Sequence, residues 1–162
     1  MTGSKGFTLL ELLVVMALIG LVLAIGTPQY WNWRAQARYR EAAESIALTL
    51  REARARALSR NVQQRVEFDV DGNRYRVVEG NRTIGSTAFA TVVREWVALH
   101  PETALRSGAA CNATTDVNLD FNANGTATQS GICIATTGPT VVARFRVDVQ
   151  LATTGRVAVT RL

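Results

Sequence analysis

The stretch KGFTLLELLVVMALIGLVLAIGTPQY, residues 5–30, is apolar enough to enter a membrane and yet contains one carboxylate, Glu11. From Leu12 to Trp33 no residue is charged. Phe7 to Ile25 is 19 residues, which as a helix falls just short of the ~30 Å hydrocarbon core of a bilayer at ~1.5 Å per residue. A carboxylate in such a segment costs about 2.5–3.5 kcal/mol at its centre and less near an end, so it marks function and calls for a partner. Lys5 is six residues back and falls on another helical face, so it is a poor one. The partner must come from outside the segment. Gly26-Thr27-Pro28 is followed by bulky Gln29-Tyr30-Trp31, unlike the small-residue cleavage site of a secretory signal. Flanking charge is split: Lys5 favours a cytoplasmic N-terminus, while Arg34, Arg38 and Arg40 oppose it.

The run KGFTLLELLVVMALIG resembles the class III leader and N-terminal helix of type IV prepilins and type II secretion pseudopilins. Gly6, Phe7, Thr8, Leu9, Glu11 and Pro28 all stand where that family has them. The resemblance implies that a prepilin peptidase cuts between Gly6 and Phe7 and N-methylates Phe7, removing residues 1–6. Cleavage creates an α-amino group at Phe7. In a filament, a neighbouring subunit would then bring that amine to the Glu11 carboxylate across a dry helix bundle. A charge left unpaired there is penalised, which favours subunits in register.

Beyond the apolar run, Pro28 removes a backbone donor next to Gly26 and predicts a kink or local melting. From Tyr30 to Arg60 there is no Gly or Pro, and Trp33, Ala37, Tyr39, Ala43, Ile46, Ala47, Leu50, Ala53, Ala57 and Leu58 recur mostly at helical steps. One helix of about 50 residues is expected, its lower half in the membrane and its upper half on a sheet. Its other face carries Arg34, Arg38, Arg40, Arg51, Arg54, Arg56 and Arg60 against Glu41, Glu44 and Glu52. That is either a solvated face with Glu-to-Arg pairs or a surface for acidic neighbours.

From Asn61 the period becomes two. RVEFDVDGNRYRVVE alternates around Asp71-Gly72-Asn73 and predicts a β-hairpin. Further alternating runs are TVVREWVAL, DVNLDF, TVVARFRVDVQL and GRVAVTRL. Ser107 to Thr115 is small and polar and reads as a mobile loop. The expected fold is α+β: a long kinked N-terminal helix, transmembrane half plus amphipathic half, packed on a C-terminal antiparallel β-sheet domain. Its segments are a cleaved leader at 1–6, a transmembrane and filament-core helix at 7–28, the amphipathic continuation at 29–60 and a β-rich domain at 61–162. The order helix, hairpin, late LDFNANGTATQ and terminal paired strands is similar to the pseudopilin H and FimT class of minor subunits.

The chain has 162 residues, 48% of them hydrophobic, and a formal charge of +5, which fits one globular core plus the apolar segment. Seventeen of its 18 basic residues are Arg, through selection for forked phosphate contacts or through genome composition. The two cysteines, Cys111 and Cys133, and the single His100 are too few for a closed zinc site. A disulfide closing a loop of about 22 residues would be worth about 3 kcal/mol in an oxidising compartment; two buried thiols are the alternative.

One histidine, standing before Pro101, assembles no nucleophile, base and orienter set, so no enzyme and no cofactor are expected. Asp120, Asn122 and Asn124 in DFNANG match the first half of a calcium loop, but position twelve is Gly131 rather than a bidentate Glu, and a hairpin turn accounts for the same residues. FimT-like subunits of DNA-uptake pili carry Gly-Arg-x-Arg near the C-terminus; here it reads Gly155-Arg156-Val157-Ala158. Arg144 and Arg146 share a strand face, so with Arg156 they form a candidate phosphate patch.

The resemblance therefore implies a minor pilin or pseudopilin, single-pass in the inner membrane with its N-terminus cytoplasmic and its globular domain periplasmic, later incorporated into a pilus or pseudopilus. Its implied partners are the prepilin peptidase, inner-membrane lipid before assembly, other minor and major pilins or pseudopilins through the N-terminal helix, and, for the candidate patch, DNA. First choice of role is to start type IV pilus assembly; the alternatives are type II secretion and DNA uptake.

Overall fold

The structure, a computed structural model, describes residues 8–150 and 153–162, and within the first helix the side chains at 25–29 and 32 lie outside that description. One helix, α1 (Leu9–Arg60), is 52 residues long. Pro28 lies within it and does not end it. By internal contacts the chain divides into residues 1–37 and 38–162.

In the first unit the described apolar side chains are exposed: Leu9 is 83% accessible and even Val15 is 46% accessible. No core of its own encloses them. Thr8 starts the helix, its Oγ1 accepting the Glu11 amide at 3.2 Å and its carbonyl accepting the Leu12 amide. Thr8-Leu9-Leu10-Glu11 is thus half of a capping box, in which the hydroxyl at the cap satisfies an otherwise orphaned N–H of the first turn.

In the second unit, the helical residues from Arg38 onward share a core with two sheets. Ala43, Ile46, Ala47, Leu50, Ala53 and Ala57 are buried, at the three- and four-residue steps that place one stripe on one face. Leu58, expected in that stripe, is instead 47% exposed. The helix stops where Asn61 turns left-handed, φ 56°, a conformation Asn tolerates because its short amide bonds locally.

The strands are β1 (Gln64–Asp69), β2 (Arg74–Glu79), β3 (Thr91–Ala98), β4 (Thr103–Arg106), β5 (Val117–Phe121), β6 (Gly131–Thr136), β7 (Ala143–Val149) and β8 (Val157–Arg161). They form two antiparallel sheets, ordered β3-β2-β1-β5 and β4-β6-β7-β8. The hairpin around Asp71-Gly72-Asn73 is β1–β2, closing at Asp69↔Arg74. Val66 and Phe68 from the first sheet meet Ile132, Ile134, Val147 and Val149 from the second in the same core.

Asn73 joins the sheets. It sits in the turn at φ 51°, where its Nδ2 donates to the Thr103 carbonyl at 2.7 Å and its Oδ1 accepts the Leu105 amide at 3.0 Å. One side chain in the turn of the first sheet thereby fixes the edge strand of the second.

Strand β6 has no counterpart in the alternating runs. GICIA is buried at every position: Ile132 and Ile134 enter the core, while Cys133 and Ala135 point the other way and are covered as well. The cover over Cys133 is the loop Ser107–Thr115, which is pinned rather than mobile. Cys111 is disulfide-bonded to Cys133, with Cα atoms 5.6 Å apart. Ser107 pairs with Ala113 across the loop neck, and its hydroxyl donates to the Thr115 carbonyl at 2.7 Å. Small polar residues look mobile in sequence because their anchors are a distant thiol and backbone groups.

Candidate functional site

Of the residues expected to act in processing and assembly, Gly6 and Phe7 lie outside the described residues, as does the side chain of Pro28. Glu11 is described. It occupies the third helical position, where a negative group is favoured by the helix dipole and its amide is capped by Thr8. Among the described residues no cation pairs with it. The cap was legible as Thr-x-x-Glu ahead of an apolar run, a signal that the reading of Glu11 as an intramembrane charge passed over.

At the other end of the apolar segment, Tyr30, Trp31 and Trp33 are exposed and adjoin one another, with the Tyr30 ring 6.3 Å from Trp31 and 6.4 Å from Trp33. Aromatic rings in such a group suit the boundary between an apolar and an aqueous phase. Among the described residues no helix is long and apolar enough to cross a membrane.

The DFNANG residues are committed to the protein. Asp120 accepts two bonds from Arg65, at 2.6 Å from Nε and 2.9 Å from Nη2. That carboxylate, through its hydrogen bonds first, holds the Arg65 guanidinium above its ordinary range against the opposing effect of burial, and the guanidinium also stacks 3.7 Å over the Phe89 ring. Asn124 Oδ1 accepts from both the amide and the hydroxyl of Thr126, and Asn122 Nδ2 donates to that hydroxyl. The reversal closes with Gly125 at φ 86° and a Phe121↔Ala127 bridge. These are the bonds of a turn. Among the described residues no group of three or more His, Cys, Asp and Glu stands together to hold a metal.

The three arginines proposed as one phosphate patch are not brought together. The Arg144 carbonyl accepts the Leu162 amide at one end of the β7–β8 pair, and the Arg156 carbonyl accepts the Gln150 amide at the other. Six strand residues at ~3.3 Å separate these ends by about 20 Å. Arg146 lies between but is engaged, its Nε on Asp148 at 2.6 Å and its Nη1 on the Ala109 carbonyl at 2.7 Å.

The charged face of the helix is partly paired with opposite charges on β2, on β3 and in the turn before β4. Arg38 meets Glu102, Arg56 and Arg60 approach Glu79 at 3.9 Å, and Glu52 receives Arg94 at 2.8 Å.

A long N-terminal helix whose first part is apolar and uncovered and whose second part is seated on antiparallel sheets is the pilin-like architecture, the fold of filament subunits. A family model for the prokaryotic N-terminal methylation motif matches residues 1–27, and one for type II transport protein GspH matches residues 42–155. The solved minor pseudopilin EpsH of the Vibrio cholerae type 2 secretion system aligns at TM-score 0.56 and 17% identity over 76% of this chain and 97% of that one. The type IV minor pilin FimU of Pseudomonas aeruginosa aligns at TM-score 0.53 and 22% identity over 75% and 87%. At those identities the likeness is one of fold. A fimbrial protein of Moraxella nonliquefaciens is 32% identical over 125 residues, 77% of this chain and 71% of that protein, whereas one of Pseudomonas aeruginosa matches at 40% over 47 residues, 30% of its length. The chain belongs to the GspH family of minor pilins and pseudopilins, whose members are structural and not enzymatic.

Proposed function

We propose that this chain is a minor type IV pilin that helps to start assembly of a pilus. In this reading a prepilin peptidase cleaves between Gly6 and Phe7 and methylates the new amine, and the segment from Phe7 to Pro28 holds the subunit in the inner membrane until it enters the filament. The globular domain stands in the periplasm, with Tyr30, Trp31 and Trp33 at the membrane surface. The observation that carries the assembly step is Glu11, a carboxylate in an apolar helix with no cation beside it among the described residues. Its charge is satisfied when a neighbouring subunit presents a Phe7 amine, so register is selected by the cost of leaving either charge unpaired in a dry bundle.

The fimbrial relatives favour a pilus. The GspH match and the likeness to EpsH favour a second reading, a pseudopilus subunit in protein export. Deleting the gene separates them: loss of surface pili and twitching supports the first, while intact pili with exported enzymes held in the periplasm replaces it with the second. Within either filament, Glu11→Val is expected to remain membrane-inserted and be cleaved but to be missing from sheared filaments. Normal incorporation of that variant would sink the pairing account.

A further inference from the structure

Against the exposed side of α1, a pit of about 270 Å³ opens between the helix and the turn before β8, with Arg51, Arg54 and Arg156 around it and Leu58 and Val157 contributing apolar surface. Among the described residues none of these three arginines is in an ion pair, although nine of the other thirteen arginines of the second unit are. Arg54 is the informative one. Its Nε is buried and has no hydrogen-bond partner, an unfavourable state for any polar group and more so for a charged one. The stem packs against the turn: a Cβ at Gly155 would lie 3.3 Å from Arg54 Cδ, tighter than ordinary contact, and Gly155 takes φ 57°, so glycine suits this approach of turn to helix.

We infer that this pit takes the carboxylate of one acidic side chain from a neighbouring filament subunit. Three guanidinium groups without a counter-charge call for an anion, and forked N–H donors match a carboxylate. The lining favours an acidic side chain as the source. Ala55, Leu58 and Val157 give the pit apolar surface that suits a carboxylate carried on an aliphatic stem. A nucleic-acid backbone instead asks for a row of cations along a rod. The row is missing here, because Arg146 is engaged by Asp148 and Ala109 and Arg144 sits about 20 Å along β7. The inference rests on the chain's being a filament subunit and holds for a pilus and for a pseudopilus alike, so the deletion phenotype and the pit stand or fall separately.

The test uses the full chain in detergent micelles with its arginine side chains isotopically labelled for NMR. Blocked hexaglutamate is expected to shift the Arg54 Nε–H signal, whereas blocked hexaglutamine leaves it in place. Arg156→Gln should weaken that response about tenfold, consistent with losing one charge-assisted contact, while Arg144→Gln leaves it unchanged; an unmoved Arg65 signal shows that each variant is folded. No shift with hexaglutamate overturns the inference, and so does an equal shift with hexaglutamine. A 12-base-pair duplex that moves the same signals at lower concentration than the peptide overturns it in favour of nucleic acid.

Discussion

Asp69 shows what one residue contributes at the head of the β1–β2 hairpin. Its Oδ1 accepts the Gly72 amide and its Oδ2 accepts Arg74 Nε, each at 2.7 Å, and these contacts, the Gly72 amide first, hold the carboxyl below its ordinary range. A depressed folded value means that the stabilisation is fully present above the unfolded value of about 3.9 and is lost as pH falls through the folded one. Asp69→Asn should therefore lower the urea midpoint by a constant amount at pH 5–7, with the gap to wild type closing below about pH 4. A gap that persists at pH 2 would refute the assignment. Asn73, four residues on, is predicted to matter more because it links the sheets. Asn73→Gly keeps the left-handed backbone and loses the bonds to Thr103 and Leu105, for about 2 kcal/mol in urea unfolding, while Asn73→Ala adds about 1 kcal/mol of backbone strain. Equal losses would mean that backbone strain contributes nothing there. The Asp-Gly-Asn turn was legible in sequence; what Asn73 reaches was not, because its partners lie some 30 residues away.

At the scale of elements, legibility followed periodicity. The stripe through Ile46 and Leu50 was read from its spacing because one face of the helix is buried and the other wet, and the hairpin strands were read for the same reason at period two. Strand β6 hid because both its faces are covered, so GICIA has no alternation. Leu58 was misassigned for the converse reason: it keeps the spacing of the core but lies at the arginine-lined pit. The pit itself could not be read, since it joins residues about a hundred positions apart. The element account predicts a contrast within α1. Leu50→Ala, at a fully buried position, should cost about 2–5 kcal/mol in chemical denaturation, whereas Leu48→Ala, 62% exposed, should stay within about 0.5 kcal/mol. Similar costs at the two positions would mean that the helix is seated on another face.

In the molecule as a whole, the two units satisfy their apolar residues differently: the second encloses a core, and the described part of the first leaves its leucines and valines to whatever surrounds it. Stability measurements therefore report on the second unit. Cys133→Ser should destabilise it by about 3 kcal/mol, the worth of closing a 22-residue loop, and a reducing agent should bring wild type to the same midpoint while leaving the variant unmoved; an unchanged wild type under reduction would contradict this. The same covalent link makes the surface formed by Ser107–Thr115 conditional on chemistry outside the protein. In a compartment that keeps thiols reduced the loop loses its tether to β6, and where thiols oxidise it is fastened. The finished outer face is thus a chemical record of where the chain folded, available to any neighbour that docks on it, and a copy that matured in the wrong place carries a different label although its sequence is identical.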